Sequence, residues 1–126
     1  MATMTAEKPP RHGIEKLTIP LALRKIDREA ERRNLRAVRD KAIGMGSVEV
    51  GKHFIDAAVR KGDWIEVSVM CEKTKLPEVG KHAVDKMVKE GGHWILIGNM
   101  AKMAKSPEVR EYASEQQKKR YGERQA

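Results

Sequence analysis

A chain of 126 residues and 14.2 kDa can bury roughly two thirds of the surface its unfolded form exposes, enough for one autonomous domain. Its one cysteine, Cys71, excludes an internal disulfide and a cysteine-based zinc cluster, and there is no apolar leader and no run of about 18 apolar residues, so a soluble, cytoplasmic protein that does not enter membranes is expected. The net charge of +8, from 26 Lys and Arg against 18 Asp and Glu, favours an anionic partner but does not bear on fold.

Along the chain, residues 1–14 are polar and read as a flexible N-terminal segment. The helical domain is expected over 15–117 and a basic, polar tail over 118–126. With Trp, Tyr and Phe at only 4% of the chain, the core must be made of Val, Ile, Leu, Met and Ala, a composition that leans towards helix. "IPLALRKIDREAERR" and "RNLRAVRDKAIGMG" come after the N-terminal segment, and together they gather much of the excess positive charge: residues 1–47 hold 11 basic and six acidic residues.

From Val48 the chain reads "VEVGKHFIDAAVRKGDW", and from Pro77 it reads "PEVGKHAVDKMVKEGGHW". At an offset of 29, Glu49, Val50, Gly51, Lys52, His53, Asp56, Val59 and Gly62 recur as Glu78, Val79, Gly80, Lys81, His82, Asp85, Val88 and Gly91. "SPEVREYASEQQKKRYG" is a weaker third copy at an offset of 30, and "IPLALRKIDREAERR" a fainter one 29 residues upstream. Terminal copies of a repeat are expected to diverge in this way, because one of their faces has no neighbour to cover it.

At 100° per residue, Val50, Phe54, Ile55, Ala57 and Ala58 fall on one broad side, while Lys52, His53, Asp56 and Arg60 form a polar stripe opposite. The second copy repeats this division, with Lys81, His82, Asp85 and Lys89 as its stripe. Gly62 and Gly91-Gly92 stop the two helices, and Pro77 and Pro107 stand where helices begin. Between the copies, "WIEVSV" alternates like a strand, but its counterpart "WILIGNMAKMAKS" has helical periodicity and a helix-favouring Ala and Met content. With Asn34, Trp64 and Trp94 spaced by 30, all three intervening segments are assigned helix, and the repeat becomes helix, turn, helix. The alternative is an α+β domain in which "WIEVSV" and "WILIG" pair as strands of βαβ units.

A period of 29 to 30 residues with the stretch "IGNMAKMAKSPEVREYA" resembles the short HEAT-like repeats of the phycobilisome-lyase type, over about residues 19–117. The resemblance implies a right-handed α-solenoid of about three and a half helix pairs. It implies no single function, since its motifs are those of packing.

No complete catalytic, cofactor or metal-binding motif is present, so no catalytic residue, metal ligand or cofactor is assigned. The polar stripe reads either as a solvated face laced with i,i+4 ion pairs (Asp56 with Arg60, Asp85 with Lys89) or as a ladder on which a partner is held. On the second reading the protein is a non-enzymatic binding or scaffold module for an acidic protein or peptide. Its contacts would be Lys52, His53, Arg60, Lys81, His82 and Lys89. A runner-up is nucleic-acid binding through phosphate contacts, with Arg24, Arg28, Arg32 and Arg36 as the candidate set and strong salt dependence expected. A third reading, a metal-dependent enzyme, would rest on the His53/Asp56 and His82/Asp85 pairs. Trp64 and Trp94 read as filler at the joints between repeats, and Cys71 as structural.

Overall fold

The structure, a computed structural model, describes residues 17–91 and 93–125. Within these residues the regular elements are α1 (Ile19–Glu31), α2 (Arg36–Gly44), α3 (Val48–Arg60), α4 (Trp64–Lys73), α5 (Pro77–Lys86), α6 (Trp94–Met103) and α7 (Pro107–Gln125), with a π-helical turn, Met87–Gly91, continuing α5. The class is all-α. No strand occurs among the described residues, and both segments of the α+β alternative are helical, in α4 and α6. None of these helices is long and apolar enough to cross a membrane.

Local chemistry explains where the helices begin. The side chains of Thr18, Ser47 and Asp63 accept hydrogen bonds from the amides of Leu21, Val50 and Glu66, which have no partner within their own helices. The Asp63 cap opens α4, so "WIEVSV" is helical despite its alternation, and that helix delivers Val67, Met70 and Cys71 to the core. α5 and α7 open on Pro77 and Pro107. α3 ends with Gly62 in the left-handed region at φ 70°, and Arg33, which takes the equivalent place 29 residues earlier, adopts φ 55° without being a glycine.

Each odd-numbered helix packs on the next odd one, and α2, α4 and α6 contact each other in the same succession. The repeated apolar positions make both sets of contacts. Val50, Val79 and Val109 are fully buried, as are Val67 and Ile97 in α4 and α6, with Val38 nearly so in α2. The last series fixes the equivalence of the shorter helices and shifts one expectation by a residue. Buried Leu35, not exposed Asn34, holds the place taken later by Trp64 and Trp94.

The doubled Val-Gly pair is a tight seam. A Cβ placed on Gly51 would lie 2.7 and 2.9 Å from the two γ carbons of Val79, and one on Gly80 would overlap Val109 Cγ2 more closely still. Each valine thus sits astride the glycine of the preceding copy, where no side chain fits. In the first copy the glycine position is Ala22, also buried.

A buried ion pair joins α2 to α4. Arg39 Nη1 lies 2.9 Å from Glu66 Oε1, with both side chains largely removed from solvent. The hydrogen bond to Glu66 is the main influence holding the Arg39 guanidinium above its ordinary pKa. Cys71 is fully buried, its Sγ 3.4 Å from the Gly80 carbonyl, and burial pushes its thiol up to about 12, which fits a structural role.

Candidate binding surface

The polar stripes of α3 and α5 lie along the seam between odd-numbered helices, and there the two histidines have partners. His53 Nε2 is 2.7 Å from Asp27 Oδ1 on α1, and His82 Nε2 is 2.7 Å from Asp56 Oδ1 on α3. A carboxylate only accepts, so each imidazole donates its Nε2–H. At the next seam the Tyr112 hydroxyl donates to Asp85 Oδ1. That bond is the main cause of the rise in the Tyr112 pKa to about 12, with burial adding to it. Tyr112 stands 30 residues after His82, so it takes the histidine's place in the third copy.

The three contacts form one repeated clasp, in which the Asp of one copy receives a hydrogen bond from the copy after it. The intrahelical pairs expected of the stripe are replaced by pairs between helices. Arg60 Nη2 lies 3.7 Å from Asp27 rather than from Asp56, and Lys61 Nζ reaches Glu31 at 2.9 Å. His53 and Asp56, three apart, therefore do not form a joint site; each turns to a different neighbour. Among the described residues no three His, Cys, Asp or Glu side chains converge as a metal centre would require.

Of the remaining stripe residues, Lys81 Nζ lies 5.7 Å from the centre of the Tyr112 ring, Lys52 is half-buried and Lys89 exposed. The ion pairs of the described residues leave out all three lysines. On α1, Arg24, Arg28 and Arg32 are exposed, as is Arg36 at the start of α2; Arg32 is 3.6 Å from Glu29. The Lys25 ammonium is held below its ordinary pKa chiefly by the charge of Lys41 on α2.

The far end of the molecule shows a feature that the sequence did not reveal. Trp64 at the start of α4 packs on the His93 ring, centroids 4.2 Å apart, but its equivalent Trp94 meets no further short helix and is covered instead by Arg120, whose Cζ lies 4.7 Å from the ring centre. Arg120 stands on α7, which runs on through Gly122 to Gln125 and so through the segment read as a tail. Two cavities of about 520 and 510 Å³ meet at Trp94, Ser114 and Gln117, forming a groove between α6 and α7. The clasps were readable in principle, since Asp27 to His53 and Asp56 to His82 share a separation of 26 residues. The groove was not, because it depends on where α7 ends.

Compared with models of known protein families, with curated proteins and with solved structures, the chain gives no match.

Proposed function

We propose that this chain is a short HEAT-like α-solenoid of about three and a half helix pairs that serves as a non-enzymatic binding module for an acidic protein or peptide. The observation that carries the reading is the division of labour within the stripe. Its acids, Asp27, Asp56 and Asp85, are each taken by a side chain of a neighbouring helix, whereas Lys52, Lys81 and Lys89 enter none of the ion pairs among the described residues, in a chain of net charge +8. His53, His82 and Arg60 then hold the surface together more than they contact a partner. Anisotropy of labelled oligoglutamate checks this: binding that weakens with salt and is lost in a Lys52→Glu/Lys89→Glu variant is expected. Binding indifferent to those substitutions would sink it.

Nucleic-acid binding is the second reading, favoured by the exposure of Arg24, Arg28 and Arg32 along α1 and of Arg36 at the start of α2, a concentration of positive charge that phosphates would offset. Its contacts would be Arg24, Arg28, Arg32 and Arg36. Absence of binding to single-stranded and duplex DNA at low salt would dispose of it.

A further inference from the structure

We propose that the groove between α6 and α7 is a second binding site, which takes an acidic, amphipathic segment of a partner protein, with apolar side chains against Trp94 and Ile95 and carboxylates on Lys102, Lys118 and Arg120. It is separate from the lysine row of the odd-numbered helices and stands on different residues.

The groove is open to solvent and has both polar and apolar residues in its walls. It consists of two open depressions, about 520 and 510 Å³, that share Trp94, Ser114 and Gln117 in their walls. Gly98 lets α7 come close: a Cβ there would lie 2.9 Å from Gln117 Nε2, so the Gln117 amide rests across α6. Asn99 and Gln117 then offer donors and acceptors of the kind that fix an extended or helical backbone. The apolar part is exposed to an extent that requires explanation. Ile95 is 83% exposed, and Ile65, its equivalent on α4, is 71% exposed. Ile95 lines the groove whereas Ile65 lies outside it, and an aliphatic side chain so exposed in the groove wall favours a protein partner, since bases and phosphates gain little from it.

Charge decides the partner's sign. Lys102, Lys118 and Arg120 line the groove, and no carboxylate does so among the described residues. A second copy of the chain carries +8 and is repelled by it. Residues 1–16 hold three basic and two acidic residues, so this segment also lacks the complementary charge. An acidic partner remains, and the Arg120 guanidinium, stacked on Trp94, presents its N–H edge to carboxylates.

The test uses the full chain with Trp64→Phe, which leaves Trp94 as the single tryptophan reporter. Three probes are titrated: a peptide of glutamates with leucine at every third or fourth position, oligoglutamate of the same length, and oligothymidylate. Expected is a change in Trp94 emission with the leucine-bearing peptide and affinity at least about tenfold weaker for oligoglutamate. Lys102→Glu/Lys118→Glu and Ile95→Glu, all at exposed positions, should each weaken the binding read at Trp94 about tenfold or more with circular dichroism unchanged, while the Trp94 response should survive Lys52→Glu/Lys89→Glu, whose loss falls on the lysine row. The proposal is overturned by equal affinity for the two peptides, by tighter binding of oligothymidylate, or by no response of Trp94. It is equally overturned if only the Lys52→Glu/Lys89→Glu variant loses binding, which would place the site on the lysine row alone.

Discussion

Replacing Gly80 by alanine tests whether the seam between α5 and α7 is as tight as its geometry indicates. In an open stretch of helix the change stabilises by about 0.5–1 kcal/mol, because alanine has less backbone freedom to lose on folding. At Gly80 the new methyl meets both γ carbons of Val109, one in overlap and the other at 3.0 Å, against about 3.5–4.0 Å for an unstrained carbon contact. Both methyls straddle the site, so turning the valine side chain does not clear it and the helices must part. Overpacking of this kind costs about 1–3 kcal/mol, which exceeds the propensity gain and leaves Gly80→Ala destabilised by about 1–2 kcal/mol. Gly51→Ala, with its nearest contact at 2.7 Å, should lose less. Gly44→Ala, at the end of α2 with nothing within 4 Å, should gain slightly. Val109→Ala alone removes two buried methyl groups and costs about 2–3 kcal/mol. Combined with Gly80→Ala it should cost less than the two changes summed, by about 1–2 kcal/mol, because the alanine methyl enters the space vacated. Urea unfolding of the five variants measures this. If Gly80→Ala stabilises as much as Gly44→Ala, the seam between α5 and α7 is not tight.

Arg39→Met strands Glu66 in a buried site and should cost about 3 kcal/mol, most of it recovered in Arg39→Met/Glu66→Leu; thermal melts of both variants decide, and equal melting points would count against a buried pair. The Tyr112 phenol, raised from 10 to about 12 by its bond to Asp85, contributes stability that is present below pH 10 and lost as the pH rises through 12. Alkaline absorbance titration on a Tyr121→Phe background should find this late ionisation, and Asp85→Asn should bring it down. Arg33→Gly relieves a left-handed arginine, a gain of about 1–2 kcal/mol, against about 0.5–1 kcal/mol of added unfolded-state freedom and the loss of an exposed 3.4 Å bond to the Lys61 carbonyl. A modest rise in melting temperature is expected, and a fall would show that the hydrogen bond matters more than the backbone strain.

The fold class could be read from the sequence because it is written in apolar positions that recur. Val50, Val79 and Val109 bury the same surface three times, and an offset between them needs no coordinates to be seen. The strand-like alternation of "WIEVSV" misleads when taken alone; the Asp63 cap and the plainly helical counterpart in α6 are the signals in the sequence that point to helix. The stripe was legible as a surface but its partners were not. Periodicity places His53 and Asp56 on one face of one helix, and only the packing of that helix on α1 shows that His53 turns to Asp27 instead. Trp94 shows the limit most clearly. Its sequence neighbourhood matches that of Trp64, yet the ring is covered by Arg120 where Trp64 meets His93, a difference set by which helix packs next to each tryptophan.

The Val-Gly seam and the Asp clasp share a direction, since each joins a residue of one copy to the copy that comes after it. A unit such as residues 48–76 therefore carries a socket on one side and the matching plug on the other, both in the same register. Duplicated in tandem, it meets its own complement at the new junction, so the molecule can lengthen by whole units without inventing an interface. The last copy departs from this pattern. Arg110 occupies the socket position there, its guanidinium turned back to the carbonyls of Ala104 and Lys105, and a valine from any further copy would find an arginine where the pattern requires a glycine.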